Sequence, residues 1–441
     1  MFKKISGWGN SLHSFSLTKV LNKDDLLLQE TNSRGVIARG LGRSYGDSAN
    51  NSGGTVLDTG EFSQFKIDSE NGIAVVGAGV SIHTLETESL KRGFFPFVVP
   101  GTGYVTIGGA IASDIHGKSH HRVGSFSNHL LEIKLLIGNG SLRALRPDDD
   151  TAPLFWATVG GMGLTGMIVE AKIRLMKVET AFVSVKEKRV ASLDELLKVL
   201  LDFNSNYPYT VAWIDLSGRF KGRGIVSAAE HTMLDRVPHK KRCKPLEPLE
   251  QKSFVIPVTP KNGIVNGLFI RAFNTLWFHK PLGKGVQHLQ KYMHPLDTIL
   301  NWNELYGVKG FVQYQFVIPI ECVSVLKTIL MRLKSENHGS FLTVLKSFGN
   351  APTGLIGFPM NGWTLAIDLP NGTRHLSRLL RDLDELVLGA GGRVYLSKDS
   401  RLNHKHLSSM YPHLGDWKRI KKEIDPQNNW QSDQGRRLKL C

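Results

Sequence analysis

Between positions 36 and 177, apolar residues come in short β-branched runs at 54–57, 73–76, 131–137 and 167–175, and each run predicts a strand. The 81–92 stretch among them has helical spacing, so Leu85 and Leu90 can cover one face of a sheet. Beyond Lys177 the pattern is more regular. Ser192 and Glu195 stand at capping-box spacing before a helix with the apolar stripe Leu193, Leu196, Leu197, Leu200 and Leu201. Strand-type stretches follow at 210–216, 311–318, 341–346, 363–369 and 393–396, with a helix near 321–333. A last clear helix carries Leu376, Leu379, Leu380, Leu383, Leu386 and Val387, and stops at Gly389. Mixed strands and helices of this kind predict an α+β chain whose later part is one sheet covered by helices.

Strand periodicity also sorts polar residues by face. In 311–318, Gln313 and Gln315 fall on one side and Val312, Tyr314, Phe316 and Ile318 on the other. By the same rule Lys346 shares a face with Phe348, and Thr364 with Ala366. Two glutamines on a strand are either a solvent-facing polar surface or a buried pair awaiting hydroxyl groups or a ring edge.

The length of 441 residues predicts two domains, and 41% apolar with 21% charged residues is globular composition. A formal charge of +16 favours anionic partners without choosing among phosphates, nucleic acid and an acidic membrane. Cys243, Cys322 and Cys441 have no paired or ligand-like spacing, which excludes a disulfide framework and a structural zinc site and points to a reducing compartment. No apolar run is long enough to span a bilayer and no apolar signal core follows the basic start, so the expectation is a cytoplasmic protein, soluble or peripheral at the inner face of the membrane. The basic run 236–244 lacks interleaved aromatics and is bounded by prolines, which predicts a solvated loop and no nucleic-acid partner. Downstream of it, Phe269, Ile270, Phe273, Leu276, Trp277 and Phe278 beside Arg271 and Lys280 can touch an anionic membrane.

Three glycine-rich segments carry the candidate chemistry. The first is Ala38-Arg39-Gly40-Leu41-Gly42-Arg43-Ser44-Tyr45-Gly46-Asp47-Ser48, in which glycines let the backbone turn sharply and present N–H groups to a diphosphate. It lacks the ending of a Walker A loop and the following helix of a Rossmann unit. The second runs from Gly101 to His121 and includes Thr106, Ile107, Gly108, Gly109, Ser113, Asp114, Ile115 and His116; the third is 160–166. Together they suit an extended, flat cofactor. His116, His120 and His121 have no completing cysteine or carboxylate set, so no metal is expected there.

The words ARGLGRSYGDS, GGAIASDIHGKSHHRVGSFSNH, GFVQYQFVIP and GGRVYLSKDSR, with MYP following, resemble the decaprenylphosphoryl-β-D-ribose 2′-oxidase family, within the vanillyl-alcohol oxidase (PCMH-type FAD-binding) superfamily, and the likeness covers nearly the whole chain. The resemblance implies a PCMH-type FAD domain of two subdomains at 8–178, a substrate domain at 179–392 with a mainly antiparallel sheet covered by helices, and a C-terminal segment, 393–441, returning to the FAD domain. FAD contacts would fall on Ala38 to Ser48, Gly101, Thr106 to Gly109, Ser113 to His116, Ile168 and Tyr395. Covalent relatives often carry histidine where this chain has Arg43, so non-covalent FAD is expected.

Lys398, in SKDSR, matches the family's catalytic lysine, which can steady an anionic reduced flavin or take up the hydroxyl proton. His116, Gln313, Gln315 and Lys346 would hold or activate the sugar, Tyr45, Trp213 and Phe348 would wall it, and Thr364, Ala366 and Met293 stand where the best-known members have asparagine, cysteine and, commonly, tyrosine. The implied reaction oxidises the C2′ hydroxyl of a polyprenyl-phosphoryl ribose, and a separate short-chain-dehydrogenase-type reductase completes an epimerisation to the arabinose form. A sugar-lactone or alditol oxidase acting on a small substrate is the alternative within the superfamily.

Overall fold

The computed structural model describes residues 2–21, 32–217, 222–250, 253–336 and 338–441. Its first region holds two sheets. One, in spatial order Phe2–Ser6, His13–Val20, Thr55–Asp58 and Val36–Arg39, pairs its last three strands in parallel. The other is antiparallel, in the order Phe65–Asp68, Ile73–Gly77, Met167–Lys177, Leu130–Leu136 and Leu142–Leu145, with Phe94–Pro96 on the far end of Met167–Lys177. The helix expected at 81–92 is Ile82–Leu90, capped by the Ser81 hydroxyl, which accepts from the Thr84 N–H; Leu85 and Leu90 are buried.

The third sheet has eight antiparallel strands, in the order Lys284–His288, Phe182–Val190, Gly224–His231, Tyr209–Ile214, Thr343–Phe348, Gly362–Pro370, Phe311–Ile318 and Arg393–Val394. Helices Leu193–Asn206, Val323–Ser335 and Leu376–Gly389 bury their apolar stripes in a core shared with Val312, Tyr314, Phe316 and Ile318, which fixes that side of the sheet as the inside. The opposite face is therefore left for the site.

Several local expectations are corrected. Leu201 is exposed, because it sits past the edge of the stripe formed by Leu193, Leu196, Leu197 and Leu200. The basic run contains one helical turn, His239–Arg242, which is too short to show as periodicity. The 393–396 strand shortens to Arg393–Val394, and Tyr395 to Lys398 form a turn closed by Lys398 N–H to Tyr395 O at 3.0 Å. Helices His404–Met410, Leu414–Ile424 and Asp433–Arg437 follow the helix taken as the last. They carry the chain back to the first region, where Trp430 bridges to Val36. There Arg437 forks onto Asp47 at 2.7 and 3.0 Å and reaches Asp399 at 2.9 Å.

Candidate active site

A cavity of about 1120 Å³ runs from the 38–48 turn to the free face of the eight-stranded sheet. Register explains the wall on the sheet side, because cross-strand partners point the same way. Gln313 pairs with Asp368; Gln315 pairs with Ala366, which pairs with Val344, which pairs with Trp213; Val317 pairs with Thr364, which pairs with Lys346. These rows bring Gln313, Gln315, Lys346, Thr364, Ala366 and Trp213 to the cavity; Gln313 and Gln315 share a face, as do Thr364 and Ala366, as periodicity predicted, and both glutamines are buried. The solvent-facing alternative is excluded.

Around the wall the polar contacts interlock. Gln315 Nε2 lies 3.0 Å from His116 Nε2 and donates to Thr364 Oγ1 at 3.2 Å, while Gln313 Nε2 donates to Asp368 Oδ1 at 2.5 Å. Burial holds the His116 imidazole neutral, well below its usual range, with Lys346, His120 and Lys398 adding to the effect. A neutral ring accepting at Nε2 carries its proton on Nδ1, which is buried without a hydrogen-bond partner among the described residues. Lys398 Nζ stands 3.7 Å from the centre of the Tyr45 ring. Burial pulls that ammonium down to about 7, Asp368 opposing the fall and Lys346 adding to it. Lys346 falls to about 8 and Lys118 to about 7, each chiefly by burial.

On the cofactor side, Ala38, Arg39, Gly40, Leu41, Gly42, Arg43, Ser44, Tyr45, Gly46, Ser48, Gly101, Thr106, Gly108, Gly109, Ser113, Ile115, His116, Ile168 and Tyr395 all line the cavity. Gly42 has φ +64°, a conformation that L side chains rarely adopt, and a Cβ on Gly40 would stand 2.2 Å from the Thr106 hydroxyl, so the turn needs glycine at both places. Thr106 itself caps helix Ile107–Ala112. Arg43 does not point a nucleophile into the space: its guanidinium stacks 3.9 Å from the centre of the Trp8 ring and donates to Leu300 O. The volume of the cavity, its glycine lining and the His116 Nδ1 without a partner among the described residues fit a bound flavin adenine dinucleotide.

Four of the expected contact residues stand behind the lining. Asp47 is turned to Arg437; Ile107 lies wholly in the core; the Asp114 carboxylate accepts from Ser127 N–H at 3.3 Å and the Thr353 hydroxyl at 3.0 Å. Phe348 packs its ring 4.8 Å from His116 and 4.2 Å from His120, so it positions those rings and does not wall the site. Periodicity names a face but not which side chain a neighbour intercepts. Met293 lines the cavity from helix Leu289–Met293, whose end is held by Lys118 Nζ, donating to Tyr292 O and Met293 O at 2.8 Å each.

Sequence reasoning missed Asp368, and it placed Lys118 only as the lysine of a histidine and lysine pair in the second glycine-rich segment. The signal for Asp368 was present, two residues beyond Ala366 on the same face. Burial raises its carboxyl to about 7 against the opposing effects of Gln313 and Lys398, and Asp368 Oδ2 has no partner among the described residues. Lys118 shares a segment with His116 but no periodic cue, since the 115–119 stretch is neither helix nor strand.

Comparison with known proteins agrees with this geometry. Residues 27–146 match the family described as an FAD binding domain. The chain is 40% identical to decaprenylphosphoryl-β-D-ribose oxidase of Mycolicibacterium smegmatis, over 99% of this chain and 98% of that protein. More local likenesses reach cytokinin dehydrogenase 10 of Oryza sativa subsp. japonica, 32% identical over 36% of the chain and 30% of that protein, and a putative D-arabinono-1,4-lactone oxidase of Neurospora crassa, 30% identical over 24% of the chain and 19% of that protein.

Proposed function

The chain belongs to the decaprenylphosphoryl-β-D-ribose oxidase family of FAD-dependent oxidoreductases, and from that premise we propose that it oxidises the C2′ hydroxyl of a polyprenyl-phosphoryl-β-D-ribose to the 2′-keto sugar. The observation that carries the reading is that Lys398, Gln313, Gln315, His116 and Lys346 line one cavity with Tyr395 and Ile168 of the flavin side, Gln315 standing 3.0 Å from His116 and the His116 ring 5.3 Å from that of Tyr395. FAD, when bound, supplies the hydride acceptor for the alcohol carbon. Lys398 in its neutral form takes the hydroxyl proton onto Nζ, and its new charge then sits within the buried site. Gln313 and Gln315 hold sugar hydroxyls, and His116 donates through Nδ1. Lys346 has no ion pair among the described residues and supplies positive charge for an anionic substrate. Trp213 gives an apolar wall.

The finer parts of the proposal follow from the product and the surface. A 2′-keto sugar needs a hydride donor to become the arabinose epimer, which calls for a separate reductase of the short-chain-dehydrogenase type. Among the described residues no helix is long and apolar enough to cross a membrane. Exposed Leu268 and Leu276, near Arg271 and Lys280, support peripheral contact with an anionic bilayer at its inner face. The division 8–178, 179–392 and 393–441 accompanies this reading, the last segment closing over the flavin domain through Trp430 and Arg437.

Anaerobic bleaching of the flavin band tests it: a prenyl-phosphoryl ribose should bleach the protein and an aldonolactone should not. Lys398→Ala should slow bleaching at least about a hundredfold. Preferential bleaching by the lactone would favour the lactone-oxidase alternative. A colourless preparation that binds DNA with steep salt dependence would remove the oxidase reading altogether.

A further inference from the structure

Helix Gly267–His279 is apolar over more of its circumference than the protein covers. With about 100° between successive residues, its faces can be read in order. Ile270 and Asn274 are buried, the latter donating to Asp215 Oδ1 and Ser340 O. Beside them Phe269, Phe273 and Trp277, one turn apart, stack their rings with centres 6.1 and 5.7 Å apart and planes within 19° and 12°, and all three line the cavity. Phe341 closes on this ladder edge-on, 5.3 Å from Phe273. Next around the helix come Leu268 and Leu276, 80% and 74% exposed. From exposed Leu276 the apolar sector thus passes without a polar break to rings that line the cavity, while His279, the last residue of the helix, falls between Leu276 and Leu268 around the circumference.

A pentose or lactone can lay a C–H face on one ring, but it is too short to use three rings in a row with centres 6.1 and 5.7 Å apart. An isoprenoid does: its alkene units are flat, apolar and free of hydrogen-bonding groups, and they match stacked ring faces. A cation borders the ladder, since Lys280 Nζ lies 4.5 Å from the centre of the Trp277 ring on the cavity wall, where it also pairs with Glu187 at 3.3 Å. Resting on the function proposed above, the geometry points to a tail-binding track: the first isoprene units of the substrate lie along Phe269, Phe273 and Trp277, and the rest of the chain leaves past Leu268 and Leu276.

The test uses the FAD-loaded protein and two substrates, methyl-phosphoryl and farnesyl-phosphoryl β-D-ribose, with half-saturation of flavin bleaching as the readout. The farnesyl ester should saturate at a much lower concentration, and Phe273→Ala or Trp277→Ala should each shrink that preference by about tenfold. Trp277→Phe should keep most of it, and the flavin band reports that each variant is folded. Equal saturation by the two esters overturns the track while leaving the oxidation intact, as does an unchanged preference in both alanine variants. Bleaching by neither ester overturns the oxidation and the track with it.

Discussion

At the residue scale the site is governed by buried charge. Lys398 can accept a proton only when neutral, and burial places its loss of the proton near pH 7. The bleaching rate at low substrate should therefore rise with pH through an inflection near 7. Asp368 opposes the fall of the Lys398 value, so Asp368→Asn removes a negative charge and should move the inflection to lower pH. A pH profile unchanged by this substitution would show that Asp368 does not act through Lys398. Ala366 stands on the cavity wall, and Cys243, Cys322 and Cys441 are absent from its lining. Agents that must bond a wall thiol should thus leave the activity untouched, and Ala366→Cys should create sensitivity, read as time-dependent loss of bleaching with a mass increase on the protein.

At the element scale, the glycine turn and the turn that carries Lys398 are held by one residue, Arg437. Arg437 pairs with Asp47 behind the glycine turn and with Asp399, the neighbour of Lys398, and the Tyr45 N–H donates to Ser397 O at 2.9 Å. Arg437→Ala leaves two buried carboxylates without their shared partner and should cost about 3 kcal/mol in urea unfolding of the apoprotein. Elements with long periodic patterns, such as Phe311–Ile318 and Leu376–Gly389, were legible to the residue. The short C-terminal helices were not. Their apolar positions serve contacts from several directions, as Trp417 does by donating to Ala157 O at 2.8 Å while buried in the core, so they leave no clean stripe.

At the scale of the whole molecule, the cavity is enclosed between sheets from distant parts of the chain, and Arg43 is turned onto Trp8 in the glycine turn. Acid precipitation should release all the FAD into the supernatant, and a yellow pellet would mean a covalent link. The sequence by itself determined the faces of the strands, the glycine turns and the family words, because period-two alternation and left-handed turns are local demands that each residue answers with its neighbours. Only tertiary structure decided which residues on a chosen face reach the cavity: Phe348 is intercepted by two histidine rings, whereas Asp368, outside every family word, is buried beside the site and Lys118, inside one but on no periodic element, lines it, the proton affinities of both pulled toward neutrality. Burial depends on what packs against a residue from far along the chain, and no local pattern records that.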